Sequence, residues 1–202
     1  MSFLKQISIP LTKHKYSYIF LNNEGQIKLI HNSYNNYHIE YLIDNKFYIN
    51  KCIFEIINNK LSLYYQGELN NEYLFHGEGT LYHNNIYIMY KGLFENGILK
   101  SGDNYMGDVF PQYIIYSGTF TNYIPNGTGI YYNKQGIKIY EGMINMDKKT
   151  GNGISYWDTT GLKNWDGQWL NNLKHGIGYL YDENETLICH CQCDHDNIIN
   201  IF

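Results

Sequence analysis

Apolar and aromatic residues in this chain do not recur at helical spacing. They come in short β-rich runs, divided by asparagine and glycine. Over residues 1–60 the runs are Tyr18-Ile19-Phe20-Leu21, Ile27-Lys28-Leu29-Ile30, Phe47-Tyr48-Ile49 and Cys52-Ile53-Phe54. Between them stand Asn22-Asn23-Glu24-Gly25, Asn35-Asn36, Asp44-Asn45 and Asn58-Asn59. Asparagine tolerates left-handed backbone, so such pairs suit tight reversals. Turns every ten to thirteen residues or so predict a meander of antiparallel strands. Residues 1–63 are read as degenerate hairpins or as an N-terminal cap on the remainder of the chain.

From residue 64 the alternation becomes a written repeat. An aromatic-x-Gly motif occurs at Tyr65-Gln66-Gly67, Tyr90-Lys91-Gly92, Tyr116-Ser117-Gly118, Tyr140-Glu141-Gly142 and Trp165-Asp166-Gly167, with the aromatics 25, 26, 24 and 25 residues apart. A second motif occurs at Gly77-Glu78-Gly79, Gly102-Asp103-Asn104, Gly127-Thr128-Gly129, Gly151-Asn152-Gly153 and Gly176-Ile177-Gly178, and its first glycines are 25, 25, 24 and 25 residues apart. Two ladders with one period define a repeat array. Each unit reads as a hairpin, an aromatic-x-Gly strand and then a Gly-x-Gly strand. The linking turns fall at Asn84-Asn85, Gln135-Gly136, Thr160-Gly161 and Glu183-Asn184. Tyr82, Tyr132, Tyr156 and Tyr181 hold equivalent places near the end of the second strand, and Gly107 takes that place in the second unit. There Asn104 stands for the second glycine and Asp108-Val109-Phe110-Pro111 interrupts, so that unit is expected to be irregular. Glycine weakens a strand interior by about 0.5–1 kcal/mol relative to alanine, so its recurrence implies close backbone approach or room for a neighbouring ring. The glycines at 67, 77, 79, 92, 102, 118, 127, 129, 142, 151, 153, 167, 176 and 178 are therefore read as structural.

The combination Tyr-x-Gly-x-aromatic and Gly-x-Gly-x-x-Tyr, repeated about every two dozen residues over 64–182, resembles MORN repeats (membrane occupation and recognition nexus). The resemblance implies an all-β array of stacked antiparallel hairpins in a single layer, with five units over 64–182 and a terminal cap strand over 183–202. It further implies a non-enzymatic scaffold without a cofactor, binding a peptide or helix of another protein along a groove. Peripheral binding to membrane phospholipid is the alternative. On that reading Tyr65, Tyr90, Tyr116, Tyr140, Trp165 and Trp169 are the candidate partner-binding aromatics, with packing between repeats as the competing role. Open sheet edges, and the apolar end Ile198, Ile199, Ile201 and Phe202, also allow pairing with a second copy.

Composition narrows the partners. Among 202 residues there are 22 tyrosines, no alanine and no arginine, a poor mixture for helices and a good one for strands. The abundance of Asn, Ile, Tyr and Lys points to an AT-rich genome, and the resemblance to MORN repeats implies a protist or giant virus as its source. Residues 1–60 hold 7 Lys against 4 Asp and Glu, whereas residues 61–202 hold 8 Lys against 15. An acidic array without arginine argues against nucleic acid, because phosphate binding needs clustered cations. It also disfavours anionic lipid and favours a basic protein segment. No apolar run reaches the length of a membrane-spanning helix and no signal-peptide core follows Met1, so a cytoplasmic protein with reduced thiols is expected.

One cluster suggests chemistry. Cys189-His190-Cys191-Gln192-Cys193-Asp194-His195 offers soft metal ligands, with Cys189, Cys191, Cys193 and His195 as the candidates. The alternating spacing fits a terminal strand with small side chains turned inward better than the C-x-x-C of a zinc site, so no metal is assigned. Gly-x-Gly recurs without the lysine and serine of a phosphate loop. Scattered histidines show no partner nucleophile, and no paired-carboxylate site emerges, so no catalytic residue is assigned.

Overall fold

A computed structural model describes residues 16–21, 25–31, 36–43, 46–47, 51–57, 60–70, 74–83, 86–107 and 111–202, with side chains described from Tyr64 onward. Among the described residues every regular element is a strand. The chain divides into two compact units, Met1–Gly97 and Ile98–Phe202.

The first unit holds β1 (Tyr16–Leu21), β2 (Gly25–His31), β3 (Asn36–Ile43), β4 (Lys46–Phe47), β5 (Lys51–Ile57), β6 (Lys60–Leu69), β7 (Phe75–His83) and β8 (Tyr87–Glu95). All pairings within it are antiparallel, and β3 meets both β4 and β5. The expected asparagine turns fall between strands at 22–24, 32–35, 44–45 and 58–59, outside the described residues. Asn84-Asn85 lies outside them too, as do Tyr48 and Ile49 of the Phe47 run.

The second unit is a meander in which each strand pairs with the next. It contains β9 (Ile98–Met106), β10 (Tyr113–Thr121), β11 (Ile124–Tyr132), β12 (Lys138–Asn145), β13 (Lys148–Tyr156), β14 (Lys163–Leu170), β15 (Leu173–Tyr181), β16 (Leu187–Asp194) and β17 (Asn197–Ile201). The all-β, antiparallel hairpin architecture expected from the repeat is what forms.

Two kinds of connection alternate. The expected turns at Gln135-Gly136, Thr160-Gly161 and Glu183-Asn184 lie in the longer loops between hairpins. Asn133 and Asp182 hold two of these loops, each side-chain oxygen accepting two backbone N–H groups at 2.7–3.0 Å. Within the hairpins the turns are two residues long, with positive φ at both positions: Asn122-Tyr123, Met146-Asp147, Asn171-Asn172 and His195-Asp196. That backbone hand matches the right-handed twist of the strands it joins.

These tight turns are tied to the preceding hairpin. The N–H groups of Asp147, Asn172 and Asp196 donate to the carbonyls of Pro125, Lys149 and Lys174 at 2.9, 3.1 and 2.9 Å. The side chains of Asn172 and Asp196 accept the amides of Lys149 and Lys174, both at 2.8 Å. Pro125 has no N–H to give, and Asn126 instead accepts the amide of Met146 at 3.1 Å. A rung of backbone hydrogen bonds thus joins hairpin to hairpin along the turn rim.

The register corrects the reading of the second unit of the repeat. Gly102 pairs with Gly118, the place held by Gly129 opposite Gly142 and by Gly153 opposite Gly167. It is the second glycine of its motif, not the first. Asn104 lies opposite Tyr116 and Tyr105 opposite Ile114, so Tyr105 fills the tyrosine place that motif spacing assigns to Gly107. The expected irregularity is there as a six-residue connection over 107–112.

The tail is likewise more than a cap strand. β16 and β17 form another hairpin in phase with the rest. Cys191 pairs with Gly178 as Gly167 pairs with Gly153, and Cys193 pairs with Gly176 as Trp169 pairs with Gly151.

Candidate functional site

The candidate site begins with the repeated aromatic. In β6, β10, β12 and β14 its ring lies back along its own strand over the glycine two residues on. The polar tip then donates to the carbonyl three residues on: Tyr65 to Glu68 (3.1 Å), Tyr116 to Thr119 (2.9 Å), Tyr140 to Met143 (2.8 Å) and Trp165 to Gln168 (3.3 Å). The accepting residue is the one the hairpin register skips, between Gly67 and Leu69, Gly118 and Phe120, Gly142 and Ile144, and Gly167 and Trp169. The ring therefore seals a bulge.

The two glycines of the second motif serve different ends. The second one lies beneath the ring, so that a Cβ on Gly79, Gly129, Gly153 or Gly178 would enter Tyr65, Tyr116, Tyr140 or Trp165. The first one, at Gly77, Gly127, Gly151 and Gly176, has φ of 61°, 105°, 56° and 70°, the left-handed backbone that the extra residues of the bulge require.

This packing buries the predicted partner-binding row. Tyr65, Tyr116, Tyr140 and Trp165 are 0% exposed, Trp169 is 6% exposed and Tyr90 is half-buried. These side chains are the core of the array and present no open stripe, which corrects the expectation. The physical reason is that neighbouring side chains and the facing glycine cover each ring, as Trp169, Lys149 and Gly153 do for Tyr140. Tyr140 meets Trp169 edge-on at 5.4 Å, and Tyr116 meets Phe120 at 5.0 Å. The Lys149 ammonium sits 5.1 Å from the Tyr140 ring centre and 4.8 Å from that of Trp169, and burial depresses its pKa. Burial also pushes Tyr116 and Tyr140 up to about 12. Tyr131 is raised as well, by burial and then by its 2.6 Å hydrogen bond to Asp147.

The opposite face carries the intervening residues. Lys138 pairs with Glu141 at 2.7 Å, and Tyr156 donates to the same carboxylate at 2.7 Å. Lys163 pairs with Asp166 at 3.3 Å, one repeat later. Lys138 and Tyr156 hold the Glu141 carboxyl below its ordinary pKa. Beyond these pairs the face turns apolar and aromatic. Tyr179 of β15 stacks on His190 of β16, with ring centres 4.5 Å apart and planes at 16°. Phe202 follows at 4.9 Å from His190. Its N–H donates to the His190 carbonyl at 2.9 Å. Tyr179 is 44% exposed, Ile177 48% and Phe202 60%. Three rings from consecutive segments thus form an exposed platform beside Ile177. The repeat pattern does not single out Tyr179 or His190 because they occupy the variable x positions; their alternation out of phase with Gly178 and Cys191 is the available signal.

The cysteines are placed by the same register. Cys191 is fully buried, Cys193 is 3% exposed and Cys189 is half-buried, all as free thiols. With Cys189 where a ring would stand, the Cys191 position has room for a side chain. Burial raises the Cys191 thiol to about 12 and raises Cys193 as well, which disfavours the thiolate that a metal needs. His195 lies apart from them, at the first position of its turn.

A family model described as MORN repeat matches residues 116–137, 140–160 and 165–186, the hairpins β10–β11, β12–β13 and β14–β15. The hairpin β6–β7 lies outside the matched segments and shows the same ring-over-glycine packing. No curated protein is matched by the chain.

Proposed function

Since residues 116–186 carry three MORN repeats, which serve in protein or membrane-lipid interaction, we propose that this chain is a non-enzymatic scaffold that binds a segment of another protein. The observation that carries the reading is the platform of Tyr179, His190 and Phe202 beside Ile177. Exposed aromatic surface of this kind is enriched at binding hot spots, whereas Tyr65, Tyr116, Tyr140, Trp165 and Trp169 are sealed inside the array. Residues 98–202 hold 11 Asp and Glu against 7 Lys, and two of those lysines are paired internally, so a basic peptide or helix suits the face. Free cysteines at 189, 191 and 193 accord with a reducing compartment, the cytoplasm.

The test compares tagged wild-type chain with the double variant Ile177→Ser, Tyr179→Ser as baits in lysate of the source cells. Both positions are exposed, so the variant should melt within a few degrees of wild type. A protein enriched on wild type and reduced at least tenfold on the variant supports the reading. An unchanged set of captured proteins rejects it. Flotation with phosphatidylserine vesicles at physiological salt addresses the lipid alternative: binding lost in the same variant would replace the protein partner with a membrane.

A further inference from the structure

At the turn rim of the last hairpin three metal-ligating side chains converge on one point. His175 belongs to β15 and Asp194 ends β16, and the pairing of Gly176 with Cys193 sets the two side by side. His195 follows at the first turn position, where φ of 49° swings its ring back toward β15. His175 Nδ1 lies 3.2 Å from Asp194 Oδ1, and His195 Nδ1 lies 2.6 Å from the same oxygen. The imidazole rings stand edge to face with centres 5.3 Å apart. One ligating atom from each of the three residues lies within 4.8 Å of the others.

The corner contains a second, independent signal. His175 Nδ1 is buried as an atom yet makes no hydrogen bond, its line to Asp194 being too poorly directed, although the side chain as a whole is 40% exposed. A buried ring nitrogen without a partner costs free energy unless something satisfies it. The corner of β7 and β8 keeps a histidine and a carboxylate, His76 and Glu95, with Asn96 in the place of His195. The matching corners of the two preceding hairpins of the second unit are chemically different. They carry Thr150, Leu170 and Asn171, or Asn126, Asn145 and Met146, so the trio is not a by-product of the repeat.

We propose that His175, Asp194 and His195 form a binding site for a divalent late transition metal, with zinc as the representative ion. Two imidazoles and a carboxylate are borderline ligands suited to Zn, Ni or Cu, and poor for Ca or Mg, which take oxygen. Tetrahedral ligands at the usual zinc distances stand about 3.3 Å apart, and half-exposed side chains close the remaining gap by rotation. Three protein ligands leave a coordination position open, for water or for a donor from a bound partner. The ion would fasten the turn between β16 and β17 to β15, adding to the two hydrogen bonds between Lys174 and Asp196 already there.

The neighbouring cysteines make a discriminating test necessary. Zinc chloride is titrated calorimetrically into the full reduced chain and into His175→Gln, His195→Gln and Cys189→Ser. The expected result is one equivalent bound by wild type and by Cys189→Ser, with affinity about tenfold or more weaker in each histidine variant. Metal-free melting temperatures of the histidine variants should match wild type, because neither ring is part of the core. Cobalt substitution gives a second readout: a nitrogen–oxygen site shows ligand-field bands without a sulfur-to-cobalt charge-transfer band. Absence of saturable uptake, unchanged affinity in the histidine variants, loss in Cys189→Ser or a sulfur charge-transfer band would each overturn the proposal.

Discussion

At the scale of single residues, each aromatic and its glycines form one mechanical part. The ring of Tyr140 covers Gly142 and Gly153, and its hydroxyl bonds to Met143 across the bulge. A methyl at Gly153 has φ free of strain but no space, so Gly153→Ala should cost about 1–3 kcal/mol, read as a lowered midpoint in urea. Gly136→Ala is the control: its Cβ meets nothing within 4 Å, and only its φ of 78° opposes it. Tyr140→Phe keeps the ring and abandons the buried hydrogen bond, for an expected loss of about 0.5–1.5 kcal/mol. The same geometry explains why Trp165 can stand for tyrosine, since its Nε1 still reaches the Gln168 carbonyl. It also explains why the sequence misdirects about these rings. Alternation shows that Tyr65, Gly67 and Leu69 share a face, yet says nothing about whether that face is open.

At the scale of elements, the hairpin turns show what the repeat hides. The tight turns recur as regularly as the glycines, but they are written as Asn-Tyr, Met-Asp, Asn-Asn and His-Asp, with no fixed residue to count. Only the backbone hand is held constant, and several side chains tolerate it at differing cost. Met146, at φ 47° and 50% exposed, contributes little packing to offset that cost. Met146→Asn should stabilise the protein by about 0.5–1 kcal/mol, seen as a higher melting temperature with an unchanged urea slope. The period and hairpin logic are thus legible because they depend on glycine and large rings. Motif spacing misplaces Gly102 by two positions because the place opposite Gly118 is set by the pairing of β9 with β10, not by the interval between first glycines. The last hairpin reads as a single strand because it carries neither ring nor glycine, only cysteines in their register. The candidate surface at Tyr179 and His190 escapes the motif for the same reason, since it lies in the letters that the motif leaves free.

At the scale of the whole chain, burial of the tyrosines sets the response to alkali. Tyr116 and Tyr140 titrate at about 12 when folded and near 10 when unfolded. Their folded pKa values are raised, so their contribution is fully present below the unfolded value and is lost as pH rises toward the folded one. Tyr131 and Cys191 act with the same sign. Denaturant midpoints should therefore begin to fall near pH 9, where the unfolded Cys191 thiol ionises, and fall further between about pH 10 and 12, with tyrosinate absorbance rising together with loss of strand signal. A separate early rise in tyrosinate would report only Tyr residues at the surface. The clashes that fix the paired glycines come from within one hairpin, from its ring and from the facing backbone: Tyr116 with Gly118 and Gly129, Tyr140 with Gly142 and Gly153, Trp165 with Gly167 and Gly178. The turn-rim bonds that cross from one hairpin to the next use backbone groups, which any copy supplies. A hairpin is thus a cassette whose ring-and-glycine fit is met internally, while contacts such as Tyr140 with Trp169 and Tyr131 with Asp147 join it to the next. Removing residues 138–162 in frame would set Asn172 against Pro125 and Trp169 opposite Gly127 in the place of Ile144, and the shortened chain should still melt cooperatively at a lower temperature. Unequal recombination within the loops can add or delete whole hairpins in one step, whereas single substitutions at a ring or its glycine meet resistance, so length is the direction in which this gene is freest to drift.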